Sequence, residues 1–157
     1  MLWRISNHAD LSGAGGEKTD GRWHSAERGK RIVYLSEHPA LALIEVLANL
    51  TGNPRLLPDG YQLIKIRVSG EVTVDSVQED ALGQDWRDDL SMTRARGDDW
   101  LRNHKTTLLS VPSAPSPESR NYLLNPLHRA ARNFSVEWSR WVEFDKRLFR
   151  IRETSTR

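Results

Sequence analysis

The sequence contains no cysteine, which excludes disulfide bonds and thiolate chemistry. Its five histidines are scattered, with no pair at the spacing of metal ligands and no carboxylate cluster beside them, so we expect no bound metal. No stretch is long and apolar enough to span a membrane, and the N-terminus lacks the layout of a signal peptide. These absences predict a cytoplasmic protein that makes no membrane contact.

The chain also has little net charge, because 23 basic residues are balanced by 21 acidic residues to leave +2. Such a balance gives no strong electrostatic argument for nucleic acid as a direct partner, although it leaves local basic patches open. A chain of 157 residues is long enough to bury its own hydrophobic core. We therefore expect a single domain over residues 1–157, with a frayed tail at 153–157.

What the sequence does contain is an apolar helix with one carboxylate inside it. The pattern over residues 36–50 predicts a helix that Ser36 caps and that accepts Pro39 in its first turn. Every residue from 40 to 48 is apolar except Glu45. A carboxylate on such a helix needs hydrogen-bond partners, an ion pair or access to a cleft.

The helical neighbours of Glu45 suggest a shallow surface. Residues three and four positions away include Ala42 and Ala48, whose small side chains would leave space for a ligand. The residues alone leave two interpretations open. Glu45 is either a functional carboxylate or a structural one that is buried in an ion pair.

The rest of the pattern predicts a sheet with helices packed beside it. Alternating and β-branched residues predict strands at 2–5, 31–35, 61–68, 106–111, 134–138 and 147–152. Helical spacing predicts a helix at 92–104, which Gly97 weakens, and a short helix at 119–124. With strands near both ends, this order predicts an α+β domain with a curved, mostly antiparallel sheet and flanking helices.

Two segments near the N-terminus have the composition of ligand contacts. The glycine-rich segment 12–16 lacks the ending of a phosphate-binding loop, so we predict a flexible loop there. Arg22 could bind phosphate oxygens in a bidentate way, and the adjacent Trp23 or His24 could stack on a flat ring. The alternative for this segment is a solvated arginine beside a core tryptophan.

Other candidate residues follow predicted strands. Tyr34 lies just before the helix that carries Glu45, at the strand end where ligands often bind in sheet proteins. Ser113 follows a buried strand, and the prolines on both sides hold its loop extended, which suits a ligand contact as well as a simple turn. Asn121 and His128 belong to a polar cluster further on.

Taken together, these segments resemble the RES-domain toxins, a family named for its arginine, glutamate and serine. The matching segments, in the order in which the family has them, are Arg4, residues 21–23, Tyr34, residues 40–45, residues 112–114 and residues 121–126. The resemblance extends from residue 2 to about residue 150. His24 departs from it, because many members have asparagine there.

The resemblance implies a fold like that of ADP-ribosyltransferase toxins, with NAD as substrate and no metal. The implied catalytic residues are Glu45, Arg22 and Tyr34, and the implied NAD-binding residues are Arg4, Arg22, Trp23, His24, Tyr34, Ser113 and Asn121. Glu45 would stabilise the positive charge that develops on the ribose as nicotinamide leaves. Arg4 and Arg22 would bind the diphosphate, and either could be the arginine of the family name. Ser113 would bind the ribose or amide, with Asn121 supporting its loop.

The resemblance also implies a toxin of a bacterial toxin–antitoxin system. Its partner would be an Xre-type helix-turn-helix antitoxin that occludes the cleft, and a homodimer is compatible with it. The expected activity is NAD depletion by hydrolysis or phosphorolysis, and the main alternative is transfer of ADP-ribose to a specific protein. Two other functions stay open, a ribonuclease that uses His24 and His128 and a binding module without catalysis.

Overall fold

The computed structural model describes residues 1–50 and 60–149, and these form one seven-stranded sheet with two α-helices. The elements are β1 (Leu2–Ser6), β2 (Val33–Ser36), α1 (Pro39–Asn49), β3 (Gln62–Val68), β4 (Val74–Ser76), α2 (Leu90–Asn103), β5 (Leu108–Pro112), β6 (Arg120–Leu124) and β7 (Phe134–Trp141). The strand order is β4-β5-β6-β2-β1-β3-β7, and only β4 and β5 pair in parallel. The predicted α+β fold with a mostly antiparallel sheet is therefore confirmed.

The sheet opens between β1 and β2. These two strands pair at a single position, where Trp3 lies opposite Ser36, whereas β1 pairs with β3 and β2 pairs with β6 along their whole lengths. Beyond that position the two strands have separate partners. A cleft occupies this opening, and its lining includes Arg4 and Ser6 of β1 together with Tyr34 of β2.

The apolar residues pack into two clusters. The first contains Trp23, Ile32, Leu82, Trp86, Trp100, Leu101, Leu109, Val111 and Leu123, and the second contains Leu2, Val33, Leu35, Ile64, Ile66, Leu108, Leu124 and Phe134. Along β2, Val33 and Leu35 belong to the second cluster while Tyr34 packs against the first, as the alternation of a strand requires. Tyr34 is thereby held on a different face of the sheet from its two neighbours.

Helix α2 packs closely on the segment that contains Trp23. A Cβ atom at Gly97 would overlap the backbone carbonyl of Trp23, so a side chain there would force the two segments apart. Gly97, which weakens the helix by propensity, is thus the residue that permits this contact.

The start of α1 differs from the prediction. The cap is His38, whose Nδ1 accepts the backbone N–H of Ala40 at 3.1 Å, and Pro39 is the first helical residue. The prediction that Ser36 caps the helix is wrong, because Ser36 still belongs to β2 and pairs there with Asn121.

Two predictions for the second half of the chain need correction. Residues 119–124 do not form a helix, because Arg120–Leu124 is a strand between β5 and β2, where pairing overrides the local helical pattern. Lys146–Phe149 is a 3-10 helix and not the start of a strand. The rest of that predicted strand and the predicted frayed tail at 153–157 lie outside the described residues.

Two further features concern loops and helices. The glycine-rich segment predicted as a flexible loop contains a 3-10 helix at Ala14–Glu17. Within residues 1–50 and 60–149, no helix has the length and apolar character needed to cross a membrane.

Candidate active site

The opening of the sheet forms a cleft of about 770 Å³, a volume typical of small-molecule and cofactor sites. Seven of the eight predicted site residues line it: Arg4, Arg22, Trp23, His24, Tyr34, Glu45 and Asn121. Ser113 is the exception. Residues that are 117 positions apart in the chain, Arg4 and Asn121, therefore meet at one site.

Glu45 is held by two neutral hydrogen-bond donors. Its Oε1 atom accepts the hydroxyl of Ser113 at 2.7 Å and the side-chain amide of Asn121 at 2.5 Å. Among residues 1–50 and 60–149, Oε2 accepts no hydrogen bond and no basic side chain forms an ion pair with the carboxylate. The structural alternative of a buried ion pair for Glu45 thus finds no partner in the described part of the chain.

Ser113 reaches the site through Glu45. The residue is 1 % exposed, its Oγ donates to the carboxylate, and the same oxygen accepts the backbone N–H of Ser116 at 3.2 Å. In this structure Ser113 contacts Glu45, the residue that faces the cleft, and its predicted contact with a ligand stays a prediction.

The side chain of Asn121 forms hydrogen bonds with Glu45 and Ser36, and its predicted support of the Ser113 loop stays a prediction. Its amide nitrogen donates to Glu45, and its Oδ1 atom accepts the hydroxyl of Ser36 at 2.8 Å. Ser36 and Asn121 lie opposite each other on β2 and β6. The sequence patterns did not identify Ser36 as part of the site, because it resembled a helix cap.

The space beside Glu45 is also formed differently. Ala42 is 3 % exposed and packs into the protein, and Ala48 is exposed. From α1, the residues that line the cleft are Glu45 and Asn49, one helical turn apart. The ligand space predicted beside the two alanines is therefore not part of the cleft that the structure forms.

Tyr34 is fixed by a chain of hydrogen bonds. His24 Nε2 lies 3.1 Å from the carbonyl of Gly16, which can only accept, so this nitrogen carries the proton. Burial lowers the pKa of His24, so the ring is neutral and its Nδ1 accepts from the Tyr34 hydroxyl at 2.8 Å. The same hydroxyl accepts the backbone N–H of Trp23 at 3.1 Å, and burial raises the pKa of Tyr34. Tyr34 thus stays a protonated phenol in a fixed orientation.

Two arginines stand on the cleft wall, each anchored through one nitrogen. Arg4 Nη1 donates to the carbonyl of Asp10 at 2.9 Å, and burial lowers the pKa of this arginine. Arg22 Nη1 donates to the carbonyl of Arg87 at 2.8 Å, and its guanidinium lies 5.9 Å from the centre of the Trp86 ring. A terminal nitrogen bound to a backbone carbonyl fixes each guanidinium and leaves other N–H groups for an anionic ligand.

Trp23 and the glycine-rich segment complete the wall. Trp23 is 2 % exposed and its ring lies 6.3 Å from that of Trp86, so most of its surface belongs to the core. The sequence patterns missed the contribution of Lys18 and of the loop around Gly13 and Gly16, which also line the cleft. A lysine two residues after a glycine pair is the signal that could have identified this segment.

His128 lies elsewhere. Its Nδ1 contacts the hydroxyl of Thr107 at 3.0 Å and the backbone N–H of Ala130 at 3.1 Å, and it is not among the residues lining the cleft. The histidine pair required by the ribonuclease alternative is therefore not assembled. In the part of the chain that the structure describes, no three His, Asp or Glu side chains are placed to hold a metal ion.

Comparison with known proteins gives consistent matches along the chain. The family model of the RES domain matches residues 1–145. The chain is 39% identical to "Toxin Res" of Pseudomonas putida over 149 residues, which covers 95% of this chain and 99% of that protein. It is 34% identical to "Prs ADP-ribosylating toxin" of Sphingobium sp., with 95% and 96% covered.

A solved structure has the same fold. The crystal structure of the M. tuberculosis MbcT–MbcA toxin–antitoxin complex contains a chain that matches with a TM-score of 0.69. The match covers 90% of this chain and 82% of that one, at 22% sequence identity.

Proposed function

The chain belongs to the RES-domain family, and we propose that it is a bacterial toxin that cleaves the bond between nicotinamide and ribose in NAD. Relatives named toxins match it over nearly its whole length. One observation carries the proposal. A carboxylate, Glu45, lies on the wall of the cleft that Arg4 and Arg22 also line, with one oxygen held by two donors and the other without a hydrogen bond among the described residues.

The chemistry requires a negative charge close to the ribose. When the nicotinamide–ribose bond breaks, its electron pair stays with the ring nitrogen, and neutral nicotinamide leaves. Positive charge then develops on the ribose, as in glycoside hydrolysis. A hydrogen bond from the ribose 2-hydroxyl to Oε2 of Glu45 would strengthen as that charge grows. The carboxylate would thus stabilise the transition state more than the bound substrate.

The other residues of the cleft would bind and orient NAD. Arg4 and Arg22 would bind the diphosphate, because two anchored guanidinium groups match its two negative charges. Tyr34, held by His24 and Trp23, would contact the nicotinamide or its ribose with a rigid ring. Because nicotinamide leaves NAD without needing a proton, the reaction requires no metal and no general acid.

The acceptor of the ADP-ribosyl group determines the product. Water gives ADP-ribose, inorganic phosphate gives a phosphorylated ADP-ribose, and a protein side chain gives a modified protein. The third outcome is the second candidate function, and a specific observation favours it. A relative with 34% identity over nearly the whole chain is named an ADP-ribosylating toxin.

The proposed partner is an antitoxin of the Xre type. The matching solved structure is that of a toxin–antitoxin complex, which supports an antitoxin as the partner. The Xre type is what the family resemblance implies. An antitoxin that occluded the cleft would prevent NAD from reaching Glu45. The toxin would act in the cytoplasm, where the NAD pool is, and its self-association stays a prediction.

A time course of NAD, nicotinamide and ADP-ribose products tests the proposal. Purified protein should release nicotinamide, and parallel incubations with and without phosphate should identify the acceptor. Labelled NAD in a cell lysate should give a discrete labelled protein band only if the second candidate function is correct. NAD that stays intact with and without phosphate and with cell extract would contradict both.

A further inference from the structure

Three side chains form a hydrogen-bonded relay that ends at Glu45. The hydroxyl of Ser36 donates to Oδ1 of Asn121 at 2.8 Å, and Nδ2 of Asn121 donates to Oε1 of Glu45 at 2.5 Å. Ser36 and Asn121 are 5 % and 9 % exposed. The relay is thus largely shielded from water, where each hydrogen bond has a strong effect on the orientation of its members.

The first hydrogen bond of the relay keeps the amide of Asn121 in its place. A buried amide oxygen needs a donor, and Ser36 supplies the one that the described residues provide. The opposite end of the amide, which has only N–H groups, then faces the carboxylate of Glu45. Without the Ser36 hydroxyl, the amide oxygen would lose its partner and the side chain would turn away from Glu45 to find another donor.

The relay and Ser113 act on the same oxygen of Glu45. Both donors bind Oε1, and neither binds Oε2. This asymmetry fixes the rotation of the carboxylate, so that Oε1 is directed to the protein and Oε2 is left for a ligand hydroxyl. With one donor fewer, the carboxylate would turn more freely about its Cγ–Cδ bond, and its outward oxygen would be held less firmly in place.

The position of Ser36 in the sheet explains why it can serve this purpose. It is the residue of β2 that pairs with Trp3, at the one position where β1 and β2 meet before the sheet opens into the cleft. It also lies opposite Asn121 on β6. The backbone of Ser36 is therefore held from both sides, next to the cleft.

We propose that Ser36 is a positioning residue for NAD cleavage, which acts through Asn121 to fix Oε2 of Glu45 towards the ribose hydroxyl. This inference rests on the proposed function. It concerns a residue that contacts neither the substrate nor Glu45 directly.

Kinetics of nicotinamide release provide the first test. Ser36→Ala should lower kcat about tenfold while KM changes little, because the interaction with Glu45 strengthens only as charge develops on the ribose. Ser36→Thr, which keeps the hydroxyl, should restore most of the rate. Thr107→Val is the matched control, since it removes a fully buried hydroxyl that contacts His128 outside the cleft. Its kcat should stay within about twofold of the original protein.

Asn121→Asp is the second variant and changes the donor itself. An ionised aspartate cannot donate to Glu45, so the rate at neutral pH should fall about tenfold or more. Because two carboxylates in contact tend to share one proton, the aspartate can donate again once that proton is bound. The activity of this variant should therefore rise, relative to the original protein, as the pH is lowered.

Nuclear magnetic resonance of the Asn121 side-chain amide gives a test that does not need activity. Its N–H signal should shift in Ser36→Ala, return in Ser36→Thr and stay in place in Thr107→Val. An unchanged amide signal in Ser36→Ala would overturn the inference, as would an unchanged kcat in that variant. If the original protein releases no nicotinamide, the proposed function fails, and the amide signal alone then decides whether the relay orders Asn121.

Discussion

The hydroxyl of Ser113 donates a 2.7 Å hydrogen bond to the carboxylate of Glu45, although the two residues are 68 positions apart in the chain. The bond joins the loop after β5 to the middle of α1. Since Ser113 is 1 % exposed, the interaction is shielded from competing water. The serine and the glutamate of the site therefore form one unit, in which only the glutamate lines the cleft.

Removing the Ser113 hydroxyl should slow nicotinamide release and weaken NAD binding much less. We expect Ser113→Ala to lower kcat for nicotinamide release about tenfold, because Glu45 loses a donor that orients it. Ser116→Ala is the control in the same loop, since the hydroxyl of Ser116 contacts Ser119 and not Glu45. Equal rates for the two variants would show that the Ser113 hydroxyl does not orient the carboxylate.

The two arginines of the cleft should contribute to binding of NAD. Arg4→Ala and Arg22→Ala should each raise KM about tenfold or more, because each removes a charge-assisted contact with the diphosphate. Arg102→Ala is a suitable control, since that arginine is exposed on α2 and does not line the cleft. The larger of the two effects identifies the principal arginine. A KM unchanged in both variants would place the diphosphate elsewhere.

His24 should make the stability of the protein depend on pH. Burial lowers its pKa in the folded state, whereas an unfolded histidine takes up a proton near pH 6.5. Below about pH 6.5 the unfolded state therefore binds more protons than the folded state does. The free energy of unfolding decreases as the pH falls through this range, by at most about 1.4 kcal/mol per pH unit for one proton.

Denaturant titrations of the original protein and of His24→Asn between about pH 5 and 8 measure this effect. The decrease in unfolding free energy at acid pH should be smaller in the variant. His128, whose pKa burial also lowers, is present in both proteins and cancels in the comparison. Identical pH dependence in both would mean that His24 is not held neutral in the fold.

Gly97→Ala should destabilise the protein although alanine favours helices. In an unconstrained helix this substitution would stabilise by about 1 kcal/mol. Here the new Cβ would overlap the carbonyl of Trp23, so we expect a loss of about 1–3 kcal/mol of unfolding free energy. Gly15→Ala is the control, because a Cβ there has no atom within 4 Å. A stabilised Gly97→Ala variant would show that α2 does not pack closely on the Trp23 segment.

Several elements of the fold follow from local patterns in the sequence. Residues 61–68 alternate in polarity, and Ile64 and Ile66 are fully buried in β3 as that alternation predicts. Glu45 was identified because a carboxylate within an apolar helix requires partners, and it has them in Ser113 and Asn121. In both cases the signal lies within one segment.

The features that the sequence patterns missed depend on distant segments. Ser36 has the local features of a helix cap, but its backbone pairs with Asn121, so the strand continues through it. Residues 119–124 have helical spacing, but two neighbouring strands hold them extended. The relay from Ser36 to Glu45 could not be predicted from local patterns either, because it joins β2, β6 and α1.

Nicotinamide release by the original protein and by Glu45→Gln is the most direct test of the account. The original protein should convert NAD to nicotinamide and an ADP-ribose product. Glu45→Gln should keep the same thermal unfolding midpoint and lose activity about a hundredfold or more, since an amide carries no charge to stabilise the ribose cation. Equal release by the two proteins, or NAD left intact by the original protein, would contradict the assignment of Glu45 as the catalytic carboxylate.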